Sequence, residues 1–485
     1  MSTLDRRLLL TGGIGSTTLA WAAPTAIAGV RPAGPPASAW RALDAQMAGS
    51  VVLPSSSNFA TAKQLYNPRW DSLSPLAVVR PLNRNDVVKA MQFADSNDLI
   101  VAPRSGGHCY IGSSSGNAVM ALDVRGLKSV TLNASKTQAT IGAGTGLYNA
   151  HVALNKGKRT IPTGTCPTVG AAGLTLGGGL GPESRGHGTT SDRLVSATCV
   201  LVDGSLVTAS ASQNADLFWS LRGGGGAQGA VVTDLVYETH PTTRLGQFSL
   251  SYPASAAEDV LLAWAEFFAS CPRSTKANVA INSKPDKSGF MVLVHGVTAP
   301  GAQDSQCDEL HALVGVPSIK RSTTEDTYMN TVLEIANGDP TPPRRDFTAG
   351  SDVIKTMTSS VAQAITAIAS EGISRRVGFQ SLIGPLTGAI QDPSATATAF
   401  PYRSHAALIQ WFCPLPTNNT AAYNAARGWI GYAHTRLGSL SAGAFINYVE
   451  PGRPVGKYFG PNLARLRTVK QHYDPQDRLK GSVTY

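Results

Sequence analysis

The chain is poor in cysteine, with 6 among 485 residues, which excludes a disulfide scaffold for a fold of this size. Five of them, Cys109, Cys199, Cys271, Cys307 and Cys413, have no metal-ligand spacing and read as small buried hydrophobes. A bridge between Cys271 and Cys307 stays open as an alternative. Past residue 30 no apolar run is long enough to span a bilayer, so no membrane anchor is expected in the mature protein. Basic residues outnumber acidic ones to give a formal charge of +10, but no basic run is interleaved with aromatics. Basic charge scattered in this way is a solvated surface, and nucleic acid is not expected as a partner. Interpretable motifs are missing from the middle of the chain, so the sequence does not name a substrate.

What remains is the balance of a soluble globular protein, with 42% hydrophobic and 15% charged residues. The length suits two domains able to bury a large ligand. Glycine is the outlier: its 49 copies concentrate in runs between residues 104 and 230, where backbone must turn sharply or approach a ligand closely. At the N-terminus, Arg6-Arg7 precede Leu8-Leu9-Leu10 and a weakly apolar run that ends at Ala26-Ile27-Ala28, a small-x-small site for cleavage. The pattern resembles a twin-arginine export signal. Export to the periplasm or the medium is expected, with an ordinary secretory signal as the alternative.

Pro32 to Pro36 reads as a linker, with an amphipathic start near Trp40 to Met47. A strand over Leu76 to Pro81, a helix capped by Asn85-Asp86 and running to Asn97, and a short buried strand Ile100 to Pro103 then deliver the chain into a glycine loop. Strands follow over 119–122, 139–144, 197–202, 205–209 and 231–237, with a helix over 147–154. From about residue 245 glycine thins out. Helices over 260–269, 361–369 and 421–436 then alternate with strands over 290–295 and 406–412.

Two glycine loops carry the chemistry. In Arg104-Ser105-Gly106-Gly107-His108, successive glycines let backbone N–H groups converge on phosphate oxygens. The second runs from Gly164-Thr165-Cys166-Pro167-Thr168-Val169-Gly170 through Gly173 to Gly177-Gly178-Gly179-Leu180-Gly181. Taken alone, each has a plain alternative: a structural histidine after a glycine pair, and a buried thiol in a glycine-rich loop. Further along come Ser191-Asp192-Arg193, the run Leu221-Arg222-Gly223-Gly224-Gly225-Gly226 before strand residue Val231, Phe445-Ile446-Asn447-Tyr448, and Lys457-Tyr458-Phe459-Gly460.

Together these segments resemble the bicovalent flavoproteins of the berberine bridge enzyme-like family, within the vanillyl-alcohol oxidase superfamily and its PCMH-type FAD-binding fold. The resemblance covers most of residues 75 to 242 and 445 to 479. It implies FAD bonded through its 8α carbon to His108 and through C6 to Cys166, which reacts as thiolate. The other cofactor-binding residues it implies are Arg104, Ser105, Gly106, Gly107, Thr168, Val169, Gly170, Gly173, Gly177, Gly178, Asp192, Val231 and Asn447. Tyr448 matches the tyrosine that acts as base over the flavin, and Gln410 looks like a polar residue turned toward substrate. Val169 is the small residue associated in the family with oxygen access. Three positions depart from the pattern: Ala227-Gln228-Gly229-Ala230 replace a Gly-Asn-Phe-Gly run, Leu180 replaces a second tyrosine, and Leu479 replaces an aromatic.

The expected fold is α+β: a two-domain PCMH-type FAD-binding fold with a discontinuous cofactor domain and an inserted α+β substrate domain. The expected divisions are an export signal over 1–28, a linker over 29–49, the FAD-binding domain over 50–242, the substrate domain over 243–439, and a C-terminal segment over 440–485 completing the FAD domain. The expected activity is oxidation of a hydroxylated small molecule, a sugar, alcohol or phenol, with dioxygen as the second partner and no metal. Alternatives are a dehydrogenase or oxidative cyclase, and a flavin-binding protein without turnover.

Overall fold

Short apolar strands buried on both faces favour parallel pairing, and the first half of the chain begins with three of them. Ala77–Arg80 and Val101–Arg104 flank Met120–Asp123, both in parallel, and Ser50–Val52 closes the free edge as an antiparallel strand. A second sheet, of five antiparallel strands, follows in the order Val130–Leu132, Gln138–Gly142, Ala230–Glu238, Leu194–Leu201 and Leu206–Ser210. The computed structural model describes residues 34–484, and from Pro35 onward they form one compact unit. The expected export signal lies outside the described residues.

Within 29–49 the structure holds more than a linker. Ala37–Gln46 is a helix whose Trp40 and Leu43 are buried in the core of the first two sheets. The helix expected after Asn85-Asp86 starts earlier, as Arg84–Ser96, and its cap is Asn83, whose side-chain oxygen accepts from the Asp86 amide at 3.0 Å. Asp86 works across the fold instead, accepting from the amides of Ala48 and Gly49, both at 2.9 Å.

Beyond residue 245 the eight strands of one antiparallel sheet run in the order Lys320–Asp326, Leu245–Pro253, Phe290–Thr298, Lys276–Ser283, Gln380–Pro385, Ala407–Pro414, Phe347–Ile354 and Ser441–Gly443. Side chains alternate between its faces with the period of two that a strand imposes. Ala277, Val279 and Ile281 point to one side, with Ile409, Trp411 and Cys413. Helices Ala257–Ser270, Ser359–Ser374 and Thr420–Leu437 pack there through Trp264, Ile365 and Trp429. Lys276, Asn278 and Asn282 point to the other side, as do Gln380 and Gln410, and border a cavity.

The C-terminal segment returns to the first half. Leu463–Tyr473 is a helix against Ala215–Ser220, and the chain after it pairs with the first sheet, where Val101 donates to the Arg478 carbonyl and accepts from Lys480, both at 2.8 Å. The architecture is therefore α+β, with a discontinuous first domain. No helix among the described residues is long and apolar enough to cross a membrane. All six cysteines are free, so no Cys271 to Cys307 bridge is formed.

Candidate active site

The first glycine loop leaves the end of strand Val101–Arg104, and Arg104 anchors its start. That guanidinium is fully buried, donating to Asp123 at 2.8 Å and to the Ala62 carbonyl at 2.7 Å. Burial lowers its pKa, and the Asp123 charge opposes that shift. Its side chain is thus committed to the scaffold. Ser105 donates to the Ala143 carbonyl at 2.6 Å, and the two glycine loops then touch backbone to backbone. A Cβ on Gly106 would lie 2.3 Å from the Gly170 nitrogen, and one on Gly170 would lie 1.9 Å from Ser105 Oγ. Only glycine permits this approach. Gly107, with φ of +73°, turns the chain into His108.

The interlock brings His108 and Cys166 to one cavity of about 1300 Å³. His108 Nε2 lies 2.9 Å from Thr168 Oγ1, and its ring stacks on Tyr66 at 3.9 Å. Burial pushes its pKa down to about 3, against the hydrogen bonding to Thr168, so the imidazole is neutral. Cys166 is open to the cavity, yet dense protein around it raises its thiol pKa, and the Arg345 charge opposes this. Cys166 lines the cavity, so its sulfur is accessible there while the surrounding protein disfavours its charge.

Cofactor-loop residues divide by what holds them. Ser105, Gly106, Gly107, Val169, Gly170, Gly173, Val231 and Asn447 border the cavity. A Cβ on Gly173 or on Gly226 would meet no protein atom within 4 Å. Protein packing does not require those glycines, and their bare backbone faces the cavity. Gly177 and Gly178 sit behind it: a Cβ on Gly177 would lie 1.9 Å from Asn447 Oδ1, and Gly178 lies against the rings of Phe445 and Phe400. Asn447 donates to the Leu174 carbonyl at 2.9 Å. Asp192 does not border the cavity; its carboxylate is held by Arg403 at 2.7 and 2.8 Å and by the Thr189 amide at 2.8 Å. Its part in the fold is to tie the two halves together. At the departing Ala227-Gln228, the amide of Gln228 turns back on its own loop and donates to the Gly224 carbonyl at 2.6 Å.

Tyr448, which borders the same cavity, lies in the short helical turn Ile446–Tyr448. Its ring stacks on Tyr110 at 5.8 Å and meets Phe445 edge-on at 5.3 Å. Burial raises its pKa, and Cys166 adds to the rise. Gln410 donates to the Tyr110 hydroxyl at 2.6 Å, so Gln410, Tyr110 and Tyr448 form one polar and aromatic group. Leu180 and Tyr448 pack against the same small core of Leu386, Phe400, Tyr402 and Phe445. Tyr110 was not among the sequence-derived candidates, and its place two residues after His108 is the signal that marks it. Lys276, Asn278, Asn282 and Gln380 were also missed, being ordinary polar positions of alternating strands. The Oδ1 atom of Asn278 is buried without a hydrogen-bond partner, an acceptor left for a ligand. Burial lowers the Lys276 pKa to about 8, with Arg185 adding to the shift, and its ammonium donates to the Gly181 carbonyl at 2.6 Å.

These features fit FAD. The cavity exceeds the roughly 300–1,000 Å³ of a drug-sized site, leaving room for a dinucleotide and a substrate. Comparison with known proteins agrees. Residues 75–210 match the model of an FAD binding domain, and residues 444–479 match that of the berberine and berberine-like segment. The carbohydrate oxidase of Microdochium nivale is 28% identical over 456 residues, covering 88% of this chain and 91% of the relative. The xylooligosaccharide oxidase of Thermothelomyces thermophilus is 29% identical over 458 residues, covering 88% and 90%. Among solved structures, a glucooligosaccharide oxidase of Acremonium strictum, described as revealing a novel flavinylation, superposes with a TM-score of 0.83 at 24% identity. It covers 92% of this chain and 99% of its own.

Proposed function

We propose, from the premise that the chain belongs to the berberine bridge enzyme-like family of FAD-linked oxidoreductases, that it oxidises a carbohydrate hydroxyl on FAD held by bonds to both His108 and Cys166. One observation carries the reading. The interlocked glycine loops bring a neutral imidazole and a cavity-facing thiol to the same cavity that Tyr448 and Gln410 border. Bound there, FAD would accept the substrate's hydride and pass the electron pair to dioxygen, giving hydrogen peroxide. Sugars are favoured within the hydroxylated substrates because amides line the facing sheet at alternate positions, Asn278 and Asn282 on one strand, Gln380 and Gln410 on the next two. The names of the two oxidase relatives point the same way.

Within this reading Tyr448 takes the proton of the reacting hydroxyl. Burial and the neighbouring Cys166 both oppose its ionisation. Converting Cys166 to a thioether removes a sulfur that can become an anion, and so removes one of those two obstacles. Gln410 fixes Tyr110, and Tyr110 holds the Tyr448 ring by stacking. Val169, at the cavity wall, leaves space for dioxygen and favours an oxidase over a dehydrogenase. Export by the twin-arginine route belongs to the same proposal, and replacing Arg6 and Arg7 by lysine should retain the protein inside the cell.

Acid precipitation of the purified protein is the first test. Flavin should stay with the pellet in the wild type, stay in His108→Ala or Cys166→Ala singly, and be released only in the double variant. Anaerobic addition of oligosaccharides should then bleach the flavin, and air should restore its colour with release of peroxide. Flavin lost from the wild type on denaturation would overturn the covalent attachment, and a flavin that no sugar bleaches would overturn the substrate class.

A further inference from the structure

Outside the cavity, three metal-ligating side chains meet where two distant segments of the chain touch. Glu183 immediately precedes the short helix Ser184–His187, and His240 opens strand His240–Pro241. His240 Nε2 lies 3.1 Å from Glu183 Oε1. The His187 and His240 rings are stacked at 3.7 Å, with their planes 10° apart. One ligand atom from each of the three lies within 4.8 Å of the others, and no other such group of three occurs among the described residues.

We propose that Glu183, His187 and His240 bind one divalent transition-metal ion, zinc foremost, with water completing the shell. A tetrahedral zinc with donors at about 2.0–2.2 Å needs its ligand atoms roughly 3.3 Å apart. The three atoms, within 4.8 Å of one another, must draw in by up to roughly 1.5 Å, and the two imidazoles must tilt out of their parallel stack so that both lone pairs meet at one ion. Two imidazoles and a carboxylate are a donor set that suits zinc. Both partners of the pair retain modest exposure, 14% for His240 and 15% for Glu183, so water has access. The His187 ring takes part in no hydrogen bond with the described residues.

Supporting contacts are also in place. The Tyr328 hydroxyl lies within electrostatic reach of Glu183, and it is fixed by Thr160 Oγ1 at 2.6 Å and His151 Nδ1 at 3.1 Å. The His187 carbonyl accepts from Arg193 at 2.7 Å. Partners of this kind, one step out from the metal, orient ligands and typically govern affinity 10- to 100-fold. An ion here would pin the segment Leu180-Gly181-Pro182, which forms part of the cavity wall, to the end of the second sheet. Its role is therefore structural, and it acts at a distance from the reacting atoms.

The test uses untagged holoprotein, stripped with a chelator and then given Zn²⁺ or Co²⁺. The wild type should take up one ion per chain by elemental analysis. Zn²⁺ in excess should raise the melting temperature by about 2–5 °C, and the Co²⁺ form should show the strong visible absorption of a four-coordinate site. His187→Phe keeps the ring stack on His240 and removes the ligand, and Glu183→Gln removes the charge. Each should lower uptake to less than about a tenth and abolish the thermal response, while flavin content stays at the wild-type level and reports an intact fold. Stripped wild type that takes up no ion, or variants that bind as the wild type does, would overturn the proposal. Metal content is read without turnover, so failure here is distinct from failure of the oxidase reading.

Discussion

The two walls of the cavity hold ligands by different means. On the cofactor side the wall is backbone: Gly106, Gly107, Gly170, Gly173 and Gly226 present peptide groups with no side chain between them and the ligand. On the substrate side the wall is side chain: Lys276, Asn278, Asn282, Gln380 and Gln410 project from one face of a sheet whose other face is a tryptophan-rich core. A backbone wall resists substitution: a Cβ on Gly106 or Gly170 meets a neighbouring peptide, a larger residue at Gly107 would have to adopt a φ of +73°, and a Cβ on Gly173 or Gly226 points into the cavity. A side-chain wall keeps its fold whatever polar residue it carries, and that freedom is how substrate choice changes without rebuilding the scaffold.

The comparison is broken most sharply at its interlock. Gly170→Ala places a methyl 1.9 Å from Ser105 Oγ and 2.2 Å from the Gly106 nitrogen, and we expect loss of soluble flavoprotein, measured as yield and flavin content. Gly173→Ala meets no protein atom. It should fold with a near wild-type melting temperature in the flavin-free state and lose flavin occupancy. Equal effects of the two changes on the flavin-free protein would show that packing alone makes the backbone wall.

Tyr448→Phe comes next. It keeps the stack on Tyr110 and removes the hydroxyl, and anaerobic flavin reduction should slow by about 10²- to 10⁴-fold, the usual worth of a positioned base. Stopped-flow reduction across pH is the measurement, with both flavin links verified. A rate within a few-fold of wild type and an unchanged pH profile would place the base elsewhere. Val169→Leu should slow reoxidation by air about tenfold and leave reduction by substrate unchanged, because it fills space on the oxygen side only. Equal slowing of both steps would point to a displaced ring.

The smallest effect concerns the seam between the walls. His434 is bonded to Asp352 at 2.7 Å and to Glu450 at 3.0 Å, and Arg453 also contacts Asp352, at 2.6 Å. Burial works against the imidazolium, but hydrogen bonds to the two carboxylates outweigh it and raise the pKa of His434. Burial likewise opposes the Asp352 carboxylate, which His434 and Arg453 nevertheless hold below its usual pKa. The His434 contribution is complete below the unfolded value of about 6.5 and is lost as pH rises through the folded pKa. The Asp352 contribution is present above about 3.9 and is lost as pH falls through its folded pKa. Stability from this cluster is therefore greatest between roughly pH 4 and 6.5. In His434→Gln the decline of melting temperature above that window should flatten by a few degrees relative to wild type, as scanning calorimetry from pH 4 to 9 would record.

The sequence made the backbone wall legible because its glycines sit within a few positions of the two distinctive side chains, Gly106 and Gly107 just before His108 and Gly170 and Gly173 just after Cys166. It left the side-chain wall unread. In Lys276–Ser283, Ala277, Val279 and Ile281 alternate with Lys276, Asn278 and Asn282, as in any half-buried strand, and only the sheet order shows that the polar face borders a cavity rather than solvent. Tyr110 stayed hidden because it acts through contacts with Gln410 and Tyr448, some 300 residues away. Asp192 lies in a segment read with the flavin loops, and its partner Arg403, 211 residues further along the chain, could not be foreseen from that segment.

The return of the C-terminal segment sets an order on biogenesis. Tyr448, Asn447 and Lys480 complete a cavity whose lining begins in the chain at Tyr66, and the first sheet gains its last neighbour only when Leu479 reaches Val101. Chains emerge from the ribosome N-terminus first. No nascent chain that stops short of Leu479 and Lys480 can therefore close this cavity, and enclosure of a flavin waits on that segment.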